Sequence, residues 1–256
     1  MVDSPTYDRQ LLLLGPKRNV ILDLAEIERY GRESYGDPDY VSLYGMRPAE
    51  WYARGVRLLG RTTVECTRDA LGQAIAGDVA ALVGTASERG VLVIDPFAGS
   101  GNTLYWLLRR LPGARGEGFE LDEEVCALTR RNLALLGSDV EIHRQDYRAG
   151  LADIAAGERL VVAFVAPPWG HALHPTSGLD LRRTEPPIAE VLDDLRERLS
   201  SNRLLVAVQV YERLDVDSLA EVRARFVWSA LKFYPLHSPG TRHGILMGTI
   251  GWRPPA

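Results

Sequence analysis

Val91-Leu92-Val93-Ile94-Asp95-Pro96-Phe97-Ala98-Gly99-Ser100-Gly101-Asn102-Thr103 decides the fold: an apolar run closed by an acid, a Gly-x-Gly turn, then the start of a helical pattern. Consecutive apolar residues suit a strand covered on both faces, as in a parallel sheet with crossover helices. Gly99 and Gly101 let backbone approach a ligand closely, at the carboxyl end of the first strand, where open α/β sheets bind ligands. A dinucleotide fingerprint would need Gly or Ala three residues after Gly101, but Leu104 stands there, and no Gly-Lys-Ser/Thr of a phosphate loop follows. Asp95 would repel a pyrophosphate and suit a cationic amino group.

Outward from this stretch, apolar runs alternate with helical ones. Strands are expected at 91–95, 116–121, 140–143, 160–165 and 204–210, and helices at 102–111, 123–136, 188–199 and 218–225. Asp122 is a plausible N-cap for the second of these helices and Gly137 its stop. Two further β-like runs, 226–234 and 244–251, have only a loop between them and should pair as a hairpin, one of them antiparallel to the rest. The expectation is an α/β, Rossmann-like, mostly parallel seven-stranded sheet ending in an antiparallel hairpin. Residues 1–62 read as an N-terminal helical, tyrosine-rich extension before a domain at 63–256. Helical stretches at 22–30, 48–59 and 64–82 frame Tyr30, Tyr35, Tyr40 and Tyr44, which read as packing or as a lid excluding water from the site.

Two more acids stand at informative distances. Glu120, 19 residues after Gly101, is spaced to accept from ribose hydroxyls, and Asp146 follows the third strand, where it could accept from an adenine amino group, with Tyr147 beside it. A ligand with amine, ribose and adenine but no phosphate is S-adenosylmethionine. Taken singly, Glu120 and Asp146 read as helix caps or solvated acids; their joint spacing with the Gly-x-Gly turn favours the cofactor.

Asp95 to Gly101, Gly118-Phe119-Glu120-Leu121-Asp122 and Ala166-Pro167-Pro168-Trp169-Gly170 resemble motif I, the acidic loop and motif IV of the Rossmann-like methyltransferases that modify amino nitrogens. The likeness covers the chain from Val91 onward. Pro-Pro-Trp-Gly, the Asn102-Thr103 pair after motif I and the upstream Cys66-Thr67-Arg68-Asp69 most resemble the RNA cap guanine-N2 methyltransferase family. The resemblance implies that Asp95, Phe97, Gly99, Gly101, Thr103, Glu120, Leu121, Asp146 and Tyr147 hold S-adenosylmethionine, with S-adenosylhomocysteine as product. It implies a base in RNA as acceptor, guanine N2 first.

The acceptor side follows from Pro167 and Trp169. Two prolines hold extended backbone and leave the carbonyls of Ala166 and Pro167 without competition from an amide at Pro168. Such carbonyls can accept from an amino group and aim its lone pair, while Trp169 offers a face for stacking or else fills the core. In the resembling family the residue before Pro-Pro is commonly Asp, Asn or Ser, whereas here it is Ala166. One side-chain acceptor is therefore missing, to be borrowed from Asp180, Glu185 or an N-terminal tyrosine, or done without. Residues 170–187 form a long connection with His171, Arg182 and Arg183, which read as substrate contacts, base and phosphate partners respectively, or as a solvated loop. His171 and His174 have no ligand partner by spacing, so no metal is expected. His143 reads as a core histidine, and His237 and His243 flank the hairpin turn without an assignment.

The whole chain has 256 residues, 46% of them hydrophobic, enough for a sizeable core and unlike disordered or collagen-like classes. Cys66 and Cys126 are too far apart for a C-x-x-C motif, and free thiols suit a reducing interior. No leader or membrane span is legible, so the expected location is the cytoplasm, without a membrane partner. Thirty basic residues against 34 acidic ones give net −4, and only Lys17 and Lys232 of the basic set are lysine. That balance disfavours a partner held by phosphate neutralisation alone. It supports the alternative of a small aromatic or nucleoside-like metabolite as acceptor, while Ala166 supports a second one, a non-catalytic cofactor-binding partner subunit. Oligomeric state is not legible.

Overall fold

The computed structural model describes residues 7–84, 90–174, 176–235 and 242–254. Its strands are β1 (Val91–Asp95), β2 (Arg115–Phe119), β3 (Glu141–His143), β4 (Leu160–Val165), β5 (Leu173–His174), β6 (Gly178–Leu179), β7 (Leu204–Tyr211), β8 (Trp228–Phe233) and β9 (His243–Ile250). Seven of them form one sheet in the order β3-β2-β1-β4-β7-β9-β8. The first five of that order run parallel, and β9 lies antiparallel between β7 and β8. This is the mostly parallel seven-stranded α/β sheet expected from the alternation, and the Rossmann-like methyltransferase fold that the resemblance implies, with the terminal hairpin closing one edge. His237 lies outside the described residues.

The helices are α1 (Gln10–Leu13), α2 (Leu24–Tyr35), α3 (Pro48–Ala53), α4 (Gly60–Glu65), α5 (Asp69–Val83), α6 (Asn102–Arg110), α7 (Glu123–Leu135), α8 (Tyr147–Asp153), α9 (Ile188–Arg198) and α10 (Val216–Arg223). No helix among the described residues is long and apolar enough to cross a membrane. Alternate residues of each strand feed two apolar layers, as the period of two demands. On one face Val93, Phe164, Leu205 and Met247 pack with Ile75 of α5 and with Tyr30, Trp51 and Leu58 of the N-terminal stretch. On the other, Ile94, Val161 and Val206 pack with Leu151, Val191 and Leu195 of α8 and α9. Within residues 7–62, apolar side chains from Tyr7 to Leu58 thus share a cluster with the sheet.

Three local departures from the sequence reading have physical causes. The helix expected over 64–82 is broken, because Cys66 is extended (φ −62°, ψ 138°) and α5 restarts at Asp69. Polar contacts from α6 and from Gly45 hold the break: Asn102 Nδ2 donates to the Thr67 carbonyl at 2.8 Å, and Asp69 accepts from Trp106 Nε1 at 2.7 Å and Gly45 N at 2.8 Å. The helix expected over 48–59 stops at Ala53, just ahead of Gly55 at φ +88°. The unexpected helix α8 starts at Asp146, whose carboxylate accepts from Arg148 N at 2.8 Å. The connection 170–187 is also ordered, through a 3₁₀ turn at Gly170–Ala172, the β5–β6 pair and buried Leu179 and Leu181.

Candidate active site

The site is built at the carboxyl ends of β1, β2 and β4. Asp95 pairs in register with Gly118, and Ile94 with Ala163, so three strand exits converge on the Gly turn. Gly99 (φ +49°) and Gly101 (φ +71°) adopt left-handed backbone, which glycine tolerates best. A Cβ on Gly101 would also stand 3.1 Å from Thr129 Cγ2 and 3.2 Å from Leu133 Cδ1, so α7 closes this turn from outside. Thr129 Oγ1 donates to the Gly99 carbonyl at 2.6 Å, and Tyr44 N donates to Asn102 Oδ1 at 2.8 Å from the tyrosine-rich segment. Thr103 is buried in the first turn of α6.

Two carboxylates face this turn. Asp95 is 2% exposed and its Oδ1 accepts from Phe97 N at 3.0 Å; burial pushes its carboxyl up to about 7. Glu120 accepts from Gly99 N at 3.1 Å and from Asp122 N at 2.8 Å, and burial raises its carboxyl too. Among the described residues neither carboxylate makes an ion pair. Like charges held close in a poorly solvated place favour a ligand bringing positive charge and hydroxyl donors. Phe97 is half-buried with the Tyr147 ring edge-on at 5.4 Å, while Leu121 beyond Glu120 is 68% exposed. The Tyr147 hydroxyl is turned away, donating to Asp194 Oδ2 at 2.6 Å, so that residue presents its ring.

Sequence reasoning passed over Arg61 of α4. Its Nη2 lies 2.6 Å from Asp122 Oδ2, next to Glu120, while Asp122 caps α7 by accepting from Glu124 N at 3.1 Å and Val125 N at 3.0 Å. Burial alone would raise the Asp122 carboxyl, but Arg61 and these amides together hold it below its ordinary value. A depressed carboxyl stabilises the fold above its unfolded pKa and loses that contribution as pH falls through the folded one. Asp122→Ala is therefore expected to lower stability by about 1–2 kcal/mol at pH 7, and by less in acid. Urea unfolding at pH 7 and pH 3 checks this.

On the acceptor side Pro167 is buried, Pro168 and Gly170 are exposed and Trp169 is half-buried. The Trp169 ring lies 5.2 Å from the His243 ring and 6.2 Å from that of Tyr211, a cluster at the rim made by β4, β7 and β9. His171 is exposed on the 3₁₀ turn, with Nε2 3.6 Å from Glu185 Oε1. Arg182 is engaged within the protein: Asp180 accepts from its Nε at 2.9 Å and Nη2 at 3.0 Å, and Asp215 from Nη2 at 2.8 Å. Asp180 is thereby occupied as well. Arg183 is exposed.

His143 is half-buried on β3, with Nε2 2.5 Å from Glu117 Oε2. Glu117, Glu141 and His143 bring ligand-type atoms within 4.8 Å of one another. Arg115 Nη2, 2.5 Å from Glu117 and 3.7 Å from Glu141, already places a cation on this group.

No protein-family model matches the sequence, and no curated protein matches it. Solved structures do resemble the fold. One is a Listeria monocytogenes protein assigned as a candidate class I S-adenosylmethionine-dependent methyltransferase, with TM-score 0.53 and 17% identity over 74% of this chain and 62% of that one. Others are the N-terminal domain of human METTL16 in complex with S-adenosylhomocysteine (TM-score 0.50, 13% identity, 68% of this chain and 66% of that one) and an S-adenosylmethionine-dependent O-methyltransferase of Thermotoga maritima (TM-score 0.50, 15% identity, 75% and 69%). The chain has the fold of the class I methyltransferases and spans less than two thirds of the Listeria protein's length.

Proposed function

We propose that the protein is an S-adenosylmethionine-dependent N-methyltransferase acting on an amino nitrogen of a purine or other aromatic acceptor, a base in RNA first and guanine N2 in particular. The observation that carries the reading is the pair of carboxylates, Asp95 and Glu120, without ion-pair partners among the described residues, flanking a Gly-x-Gly turn beside the Pro-Pro-Trp exit of β4. Their charge and burial fit a cationic, hydroxyl-bearing cofactor. When bound, S-adenosylmethionine supplies a methyl group on a sulfonium.

Glu120 accepts from the ribose hydroxyls, Asp95 sits toward the amino end, and Phe97 with Asp146 borders the adenine. Carbonyls of Ala166 and Pro167 accept from the acceptor's N–H groups, exclude other orientations and aim the nitrogen lone pair, so catalysis is mainly positioning. Trp169 stacks on the acceptor ring, at roughly 1–3 kcal/mol for a stacked base. Trp169→Ala is accordingly expected to lower turnover of dilute acceptor by about 10- to 100-fold with cofactor affinity unchanged, measured by radiolabel transfer and calorimetry.

Incubating the protein with labelled cofactor plus total RNA, and separately with a small-molecule extract, tests the substrate. Label in RNA guanine supports the first reading. Label only in small molecules supports the metabolite reading, which net −4 and the internally paired Arg182 favour. A chain with no S-adenosylmethionine affinity overturns both.

A further inference from the structure

Ala166 leaves the proposed acceptor site without the usual side chain before Pro-Pro, and sheet register shows what stands beside that gap. Val165 pairs with Val208 in parallel, so one residue further along Ala166 is level with Gln209, on the face shared by Phe164 and Ala207. Gln209 is 7% exposed and bridges two elements. Its Oε1 accepts from Thr67 Oγ1 at 2.7 Å, across from the break between α4 and α5, and its Nε2 is 3.2 Å from His243 Nδ1. His243 pairs with Tyr211 in the β7–β9 ladder and tilts its ring at 45° toward Trp169.

The proton positions follow from this chain. The Thr67 hydroxyl engages Gln209 Oε1, so the amide turns its N–H toward His243, and His243 Nδ1 accepts. In a neutral imidazole the proton is then on Nε2, making the ring a donor. We propose that Thr67 and Gln209 are positioning residues that hold His243 as a hydrogen-bond donor in the acceptor pocket, supplying the side-chain contact that Ala166 lacks. The class of substrate recognised is an amino-substituted heterocycle with an acceptor nitrogen next to its amino group: carbonyls of Ala166 and Pro167 take the amino hydrogens, and His243 donates to the ring nitrogen. In guanine this is N3 beside N2. The assignment rests on the methyltransferase reading above.

The test pairs two readouts on the full chain saturated with S-adenosylhomocysteine. Nitrogen-15 NMR of the imidazoles at pH 8, with His243→Asn identifying the signal, should give the Nε2–H tautomer in wild type. Gln209→Glu, whose carboxylate demands a proton on Nδ1, should reverse it. Guanosine titrated by tryptophan fluorescence should bind Gln209→Glu at least tenfold more weakly than wild type, with S-adenosylhomocysteine affinity within twofold; Thr67→Val should show a smaller loss in the same direction. An Nδ1–H tautomer in wild type, equal guanosine affinity in Gln209→Glu, or no guanosine binding by wild type would overturn the assignment while cofactor affinity kept the methyltransferase reading intact. Wild type without affinity for S-adenosylmethionine or S-adenosylhomocysteine would fail the reading itself and the assignment with it.

Discussion

Asp95→Asn is expected to make the protein more stable at pH 8 while removing most of its affinity for S-adenosylmethionine. The wild-type carboxyl is 2% exposed and titrates near 7 because burial penalises its charge, against an ordinary value of 3.8. Below about pH 4 it is protonated in both folded and unfolded chains and no penalty applies. Between there and pH 7 the unfolded chain is ionised and the folded one is not, so stability falls as pH rises; above 7 the loss is constant, on the order of 4 kcal/mol. Asparagine keeps an Oδ1 for Phe97 N and carries no charge, so its advantage should grow from pH 4 to pH 7 and then level off. Cofactor binding runs the other way. A cationic amino group beside Asp95 favours the ionised form, so binding near pH 6 should release a proton, and wild-type affinity should improve as pH rises to 8. The variant should bind weakly and without this pH trend. Denaturant unfolding at pH 4 and pH 8, with calorimetry in two buffers of different ionisation heat, measures both; equal stability at pH 8 or undiminished affinity would refute the account.

Glu120→Ala is expected to weaken S-adenosylmethionine binding by at least about 100-fold, since hydrogen bonds to a charged group contribute about 1.5–3 kcal/mol each and two ribose hydroxyls would be lost. The same change strips an acceptor from Gly99 N and from Asp122 N, so the Gly turn loses the side chain that ties it to the exit of β2. Glu120→Gln retains one acceptor oxygen and should fall between Ala and wild type. Calorimetry on the three proteins decides, and an alanine variant that binds as well as wild type would remove Glu120 from the site.

Local patterns carried much of this molecule. The apolar run from Val91 read as a buried strand because its residues are apolar on both faces, and the terminal hairpin read from two β-like runs with only a short connection. Asp122 was legible as a cap because capping is local to one turn. The break at Cys66 was not: nothing in residues 64–82 forbids a continuous helix, and the extended residues are held by Asn102 on Thr67 and by Gly45, Asn102 and Trp106 on Asp69, groups 24 to 37 residues away in sequence. Helix α8 carries a readable signal in the cap residue Asp146, but its seven residues are too few to show a helical period.

Gln209 and His243 had no local signature, because a glutamine inside a strand and a histidine at a strand start gain meaning only from Thr67, 142 residues from Gln209 in sequence. Arg182 reads from sequence as a cation for phosphate; its neighbour Asp180 takes up the guanidinium locally, and tertiary packing adds Asp215 from 33 residues away. The sequence by itself determined the sheet, the Gly turn and the acids at the strand exits, since hydrophobic period, turn residues and spacing act over a few residues. Only the tertiary structure decided which polar groups are already satisfied within the protein and which are left to meet a ligand, because the partners of buried polar groups come from strands and helices far apart in the chain.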